Sequence, residues 1–186
     1  MKRKSKKLQI GVLGWAGKEE YLSGGPTQQE LNIALEVGSL LAKENVIVVT
    51  GGKSGVMEYA SKGAKENNGT TVGVITGPRG TSNKYIDIEI LTGSKISGFD
   101  EVFIPLMCDA VIVVGGGAGT LQEICVSYRN KVPIIVISKT FGWACKILKE
   151  KYLDSRKTTK IIFAKNSEDA VKKAIKEALH HKNLFL

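Results

Sequence analysis

The sequence predicts a doubly wound α/β fold, a mostly parallel sheet flanked by helices. Two observations carry that prediction. Strand-like and helix-like segments alternate along all 186 residues. The strand-like runs at 47–50, 111–114 and 133–137 are almost wholly apolar instead of alternating, as strands covered on both faces are. The length and the 42% apolar content suit a single domain over 8–186.

The elements follow in order. Residues 8–13 read as the first strand. A helix is expected over 27–43, where Thr27 and Glu30 have capping-box spacing and Leu31, Ala34, Leu35, Gly38, Leu41 and Ala42 share one face. A second strand at 46–49 precedes a helix at 56–67, which Asn68-Gly69 stops. Strands follow at 71–75 and 85–91. The order then asks for a helix within 98–108, although Pro105 should break or kink it. The rest reads as strand 110–114, helix 120–128, strand 133–137, helix 141–152, strand 160–163 and helix 167–180.

Charge is distributed unevenly. The net charge is +9, yet residues 8–138 carry 10 cations against 13 anions. The basic excess lies at the two ends, including Lys2, Arg3, Lys4, Lys6 and Lys7 in a tail (1–7) expected to be flexible. No aromatics interleave these cations, which argues against a single-stranded nucleic-acid surface. The three cysteines, Cys108, Cys125 and Cys145, match no metal motif, so no metal is expected. Cys108 and Cys125 sit in apolar surroundings and read as core residues. This cysteine usage fits a reducing cytoplasm. No apolar run reaches the roughly 20 residues that cross a bilayer.

Rossmann-like sheets bind ligands beyond the carboxyl ends of their strands. Two strand-to-helix junctions there are rich in glycine: Thr50-Gly51-Gly52-Lys53-Ser54-Gly55 and Gly115-Gly116-Gly117-Ala118-Gly119-Thr120. They are expected on adjacent strands. Small residues let a ligand approach the main chain, and free N–H groups at a helix start favour an anion. Gly14, Gly51, Gly52, Ser54, Gly55, Gly115, Gly116, Gly117, Gly119 and Thr120 are therefore the candidate phosphate- or ligand-binding residues. Neither loop fits G-x-G-x-x-G: Thr120 stands where the third glycine would fall, and no acid ends the second strand. Gly52-Lys53-Ser54 imitates the end of a P-loop, but Ile47 replaces its first glycine. Glu123 lies one turn beyond the second loop, placed either for glycosidic chemistry or simply as a helix-start acid. Trp15 is open to either a ring-stacking or a surface role.

The stretch Gly116-Gly117-Ala118-Gly119-Thr120-Leu121-Gln122-Glu123 resembles the GG-x-GT-x-x-E signature of the Lonely Guy (LOG) family, long mislabelled as lysine decarboxylases. The first glycine loop is similar to that family's other motif. The branch of molybdenum-cofactor carrier proteins is similar through 51–63, 72–77 and 109–123. LOG enzymes cleave nucleoside 5′-monophosphates to base and ribose 5-phosphate, and the carriers bind a phosphorylated pterin. The resemblance thus implies a nucleoside monophosphate or molybdopterin-type ligand, phosphate on Gly116, Gly117, Gly119 and Thr120, and a catalytic role for Glu123 in the hydrolase reading. It also implies a homo-oligomer, dimer or tetramer. One position departs from the pattern. The family's usual arginine, nine residues before Asp109, is Asp100 here, followed by Glu101. An acid there fails to pair with phosphate, which favours a carrier or sensor over a hydrolase. Asp100 can alternatively cap the following helix, with Arg79 or Arg129 supplying the missing cation. A third reading, DNA binding through the basic ends as in DprA-type proteins, ranks last.

Overall fold

A computed structural model describes residues 6–17, 25–96 and 98–183. Its seven strands form one sheet in the order β4-β3-β2-β1-β5-β6-β7, all neighbours parallel. The strands are β1 (Gln9–Gly14), β2 (Ile47–Thr50), β3 (Thr71–Ile75), β4 (Ile88–Leu91), β5 (Ala110–Val114), β6 (Ile134–Ile137) and β7 (Ile161–Ala164). The helices are α1 (Gln28–Lys43), α2 (Val56–Glu66), α3 (Asp100–Leu106), α4 (Ala118–Arg129), α5 (Gly142–Lys146) and α6 (Ser167–Asn183). Successive β5 residues point to opposite faces. Ala110, Ile112 and Val114 join the core beneath α1, α2 and α6, while Val111 and Val113 join the one beneath α3 and α4. Two buried layers explain why these strands read as continuous apolar runs.

Local signals set several boundaries. The Thr27 side chain accepts from the Glu30 N–H, and Glu30 reaches back to the Thr27 N–H, completing the capping box. Asn68 adopts φ 56° and the Gly69 N–H closes α2 on Ala64. Gly38 and Gly63 bring α1 and α2 together: a Cβ on either would lie 1.9 Å from a carbonyl oxygen of the other helix.

Three expectations change. Pro105 lies inside α3, which ends one residue later at Leu106. Pro105 has no N–H for the Glu101 carbonyl, so the last turn of α3 is one bond short, and burial of Ile104 holds that turn against the core. The long helix expected over 141–152 is only α5 plus a 3₁₀ turn at Ile147–Lys149. The N–H groups of Trp143 and Ala144 are held by the Gly116 and Gly115 carbonyls, and Tyr152 and Leu153 turn back into the core. At the sheet edge, 85–87 is a loop ahead of β4, because Asp87 and the Tyr85 carbonyl bind Thr71. Cys125 is also exposed, contrary to its core assignment, whereas Cys108 is buried. Lys2, Arg3 and Lys4 lie outside the described residues. Among the described residues, no helix is long and apolar enough to cross a membrane.

Candidate functional site

The chain runs outward from β1 to β4, returns beside β1 as β5, and runs outward again to β7. The strand order therefore reverses between β1 and β5, and a crevice opens at their carboxyl ends. A cavity of about 350 Å³ occupies it. Gly14 at the end of β1 with Trp15 after it, Gly51 and Lys53 after β2, and Gly117, Gly119, Thr120 and Glu123 around the start of α4 line it; Asp100, Glu101 and Ile104 of α3 close it. Contrary to expectation, the two glycine loops do not follow adjacent strands, since β1 lies between β2 and β5. That interposition lets them face each other across the crevice.

Helix α4 starts behind Gly117 with no side-chain cap. Its first N–H groups and its dipole suit an anion. The loop before it is braced from behind. The Trp143 N–H donates to the Gly116 carbonyl at 2.8 Å, and the Phe141 N–H donates to Oε1 of buried Glu30 at 2.8 Å. The Trp15 indole packs under this loop: a Cβ on Gly117 would lie 3.0 Å from its ring. Trp15 is thus part of the cavity wall and not a free surface aromatic.

Of the predicted site residues, Gly14, Gly51, Gly117, Gly119, Thr120 and Glu123 line the cavity. Gly52, Ser54, Gly55, Gly115 and Gly116 stand behind it and shape the loops. The Gly52 carbonyl accepts from the Asn83 N–H, and Ser54 Oγ accepts from the Gly17 N–H at 3.1 Å. Gly55 precedes α2, where a Cβ would meet the Trp15 carbonyl at 2.4 Å. Gly115 and Gly116 turn the chain at φ 69° and 110°, a conformation that favours glycine.

The charged groups are arranged differently from the sequence expectation. Asp100 is the first residue of α3 and makes no cap. Its Oδ2 instead accepts from Lys53 Nζ at 2.9 Å, across the crevice. Lys53, rather than Arg79 or Arg129, is the cation that faces Asp100; neither arginine lines the cavity. Burial pushes the Asp100 carboxyl up, but its Glu101 neighbour, Lys53 and the Thr76 hydroxyl outweigh that and hold it at about 2. Glu101 moves the opposite way, raised to about 7 by burial and by Asp100 beside it. Glu123 is only 7% exposed. Burial, then the charges of Glu101 and Asp100, drive its carboxyl well above the usual range. Its place in the second turn of α4 removes the helix-start explanation for it.

A family model for the SLOG cluster4 family matches residues 7–171. The chain belongs to that family. Solved structures similar to this SLOG chain include the X-ray structure of TM1055, at 31% identity and TM-score 0.82, covering 91% of this chain and 99% of that one. The molybdenum cofactor binding protein of Rippkaea orientalis is 27% identical with TM-score 0.77, covering 95% and 99% of the two chains. The molybdenum cofactor carrier protein of Chlamydomonas reinhardtii is 31% identical with TM-score 0.74, covering 94% and 99%. The resemblance in the glycine motifs thus extends over nearly the whole fold.

Chemically, the site joins an anion-favouring helix start to a carboxyl group held ionised and two held toward the neutral form. Pairs of acids driven apart in this way are the usual makings of proton-transfer sites. Sequence reasoning passed over Lys53 and Glu101. Their only signals were a lysine within the first glycine loop and a second acid beside Asp100. The three cysteines are all free. Among the described residues no cluster of His, Cys, Asp and Glu could hold a metal ion. His180 and His181 lie in a separate surface depression with Lys131 and Lys160, which flank β6 and β7 at their amino ends.

Proposed function

We propose that this protein binds a small phosphorylated ligand, nucleotide-like or of the molybdenum-cofactor pterin type, as a carrier or sensor. The carrying observation is the cavity at the β1/β5 switch point, walled by both glycine loops and by the uncapped start of α4. Its volume falls in the range of small-molecule pockets. The phosphoryl group sits on Gly117, Gly119 and Thr120, and the remainder of the ligand reaches past Trp15 toward Glu123. The similarity to two molybdenum cofactor proteins supports the pterin class. The test is calorimetric titration with nucleoside 5′-monophosphates and with the pterin cofactor. Binding that Gly117→Asp removes is expected; binding unchanged in that variant would overturn the reading.

One observation favours a second reading, a nucleoside 5′-monophosphate phosphoribohydrolase. Glu123 is a buried acid held toward its neutral form inside the cavity, beside an ionised Asp100. Such a pair can protonate a leaving base and stabilise an oxocarbenium ion. Chromatographic release of free base, lost in Glu123→Gln, would establish it. No base from any monophosphate would exclude it.

A further inference from the structure

Glu101 stands where an anion at the start of α4 would stand. Its Oε1 lies 2.8 Å from the place a Cβ on Gly119 would occupy, over the first turn of that helix, and it lines the cavity beside Gly117 and Thr120. The charged groups that face it are Asp100 on its own helix, Lys53 from the β2–α2 loop and Glu123 from α4. Lys53 is the one cation among the described lining residues, and Asp100 already holds it at 2.9 Å. The Trp15 indole Nε1 is buried without a hydrogen-bond partner among the described residues, and Trp15 lines the same cavity as Glu123, itself more than nine-tenths buried. Buried polar groups are normally satisfied, so the cavity asks for a ligand with hydrogen-bonding atoms deep inside it.

A phosphoryl group at α4 and an ionised Glu101 are like charges at one helix end, and neither has a free cation to separate them. A neutral Glu101 has the opposite effect: its single O–H, which the Asp100 carboxylate accepts in the free protein, turns to a phosphoryl oxygen in a short, charge-assisted hydrogen bond while Lys53 stays on Asp100. We propose that Glu101 is a phosphate-binding residue that works in its protonated form, so that each phosphorylated ligand enters the pocket together with one proton. This rests on the phosphate-binding reading given above. The proton comes from solvent and stays on the Glu101 carboxyl, with no covalent change in the ligand. The free protein is already close to that state, since burial and Asp100 raise the Glu101 carboxyl to about 7.

The experiment uses AMP and CMP as probes between pH 7 and pH 9, above the second phosphate ionisation at about 6, so that the ligand's own charge is constant. Titration calorimetry at pH 8 in two buffers of different ionisation enthalpy counts the protons taken up. The expected result is uptake of close to one proton, with affinity falling roughly tenfold per pH unit. In Glu101→Gln, uptake should drop to near zero and the affinity should become level with pH. As a check that needs no variant, infrared difference spectra of the unmutated protein at pH 8 should show a protonated-carboxyl band growing as AMP is added. Binding without proton uptake, or uptake that persists in Glu101→Gln, overturns the proposal and leaves the phosphate site standing. If neither nucleotide nor inorganic phosphate binds at millimolar concentration, the phosphate reading falls and takes the proposal with it.

Discussion

Replacing Glu101 by glutamine should make the free protein more stable at pH 8 and leave it nearly unchanged at pH 4.5. The Glu101 carboxyl rises from 4.5 in the unfolded chain to about 7 in the fold. Between those values the folded state holds the extra proton, so stability falls as pH rises through that window and the loss is complete above about 7. At about 1.4 kcal/mol for each pH unit, the full cost is about 3 kcal/mol. Glu101 is partly open to solvent, and a realistic figure is about 1–3 kcal/mol. Asp100 does not blur the result. Its carboxyl is depressed from 3.8 to about 2, so its contribution is present above 3.8 and is lost only as pH falls toward 2. Urea melts at pH 4.5 and pH 8, followed by tryptophan fluorescence, measure the effect. With a urea slope of about 2 kcal/mol/M, the midpoint at pH 8 should rise by about 0.5–1.5 M in the variant. A midpoint difference that is equal at the two pH values would refute the reasoning. It would mean that Glu101 ionises as freely in the folded protein as in the unfolded one.

Other predictions test the remaining parts of the argument. Lys53→Met leaves the buried Asp100 carboxylate without its cation and should cost about 2–4 kcal/mol at pH 7, measured by denaturant melts, with Asp100→Asn in the same chain recovering most of it. Gly38→Val forces a side chain into the α1–α2 contact and should cost about 3 kcal/mol or more, read as a fall in thermal midpoint. Glu30→Ala removes both the α1 capping partner and the acceptor for the Phe141 N–H. It should destabilise by about 2–3 kcal/mol and also weaken ligand binding, because the Gly115–Gly117 loop loses its brace. A Glu30→Ala protein that binds as tightly as the unmutated one would separate Glu30 from the site.

What the sequence determined by itself was the local grammar. The bounds of β3 and β5 were legible because a continuous apolar run between polar turns admits little else in a doubly wound sheet. The start of α1 was legible because Thr27 and Glu30 cap it within a single turn of chain. The glycine loops could be located because sharp turns and close approach demand glycine wherever they occur, but the same residue serves a ligand and a tight turn alike. Only the tertiary structure could assign Gly117 and Gly119 to the cavity and Gly52, Gly55, Gly115 and Gly116 to its scaffolding. It also decided the electrostatics. Lys53 and Asp100 are 47 residues apart, and no local pattern says that β2 and α3 bring them to 2.9 Å. Likewise, the protonation of Glu101 and Glu123 depends on burial and on their sharing a crevice with Asp100. Charge interactions act through space and scale with desolvation, and sequence spacing carries neither quantity.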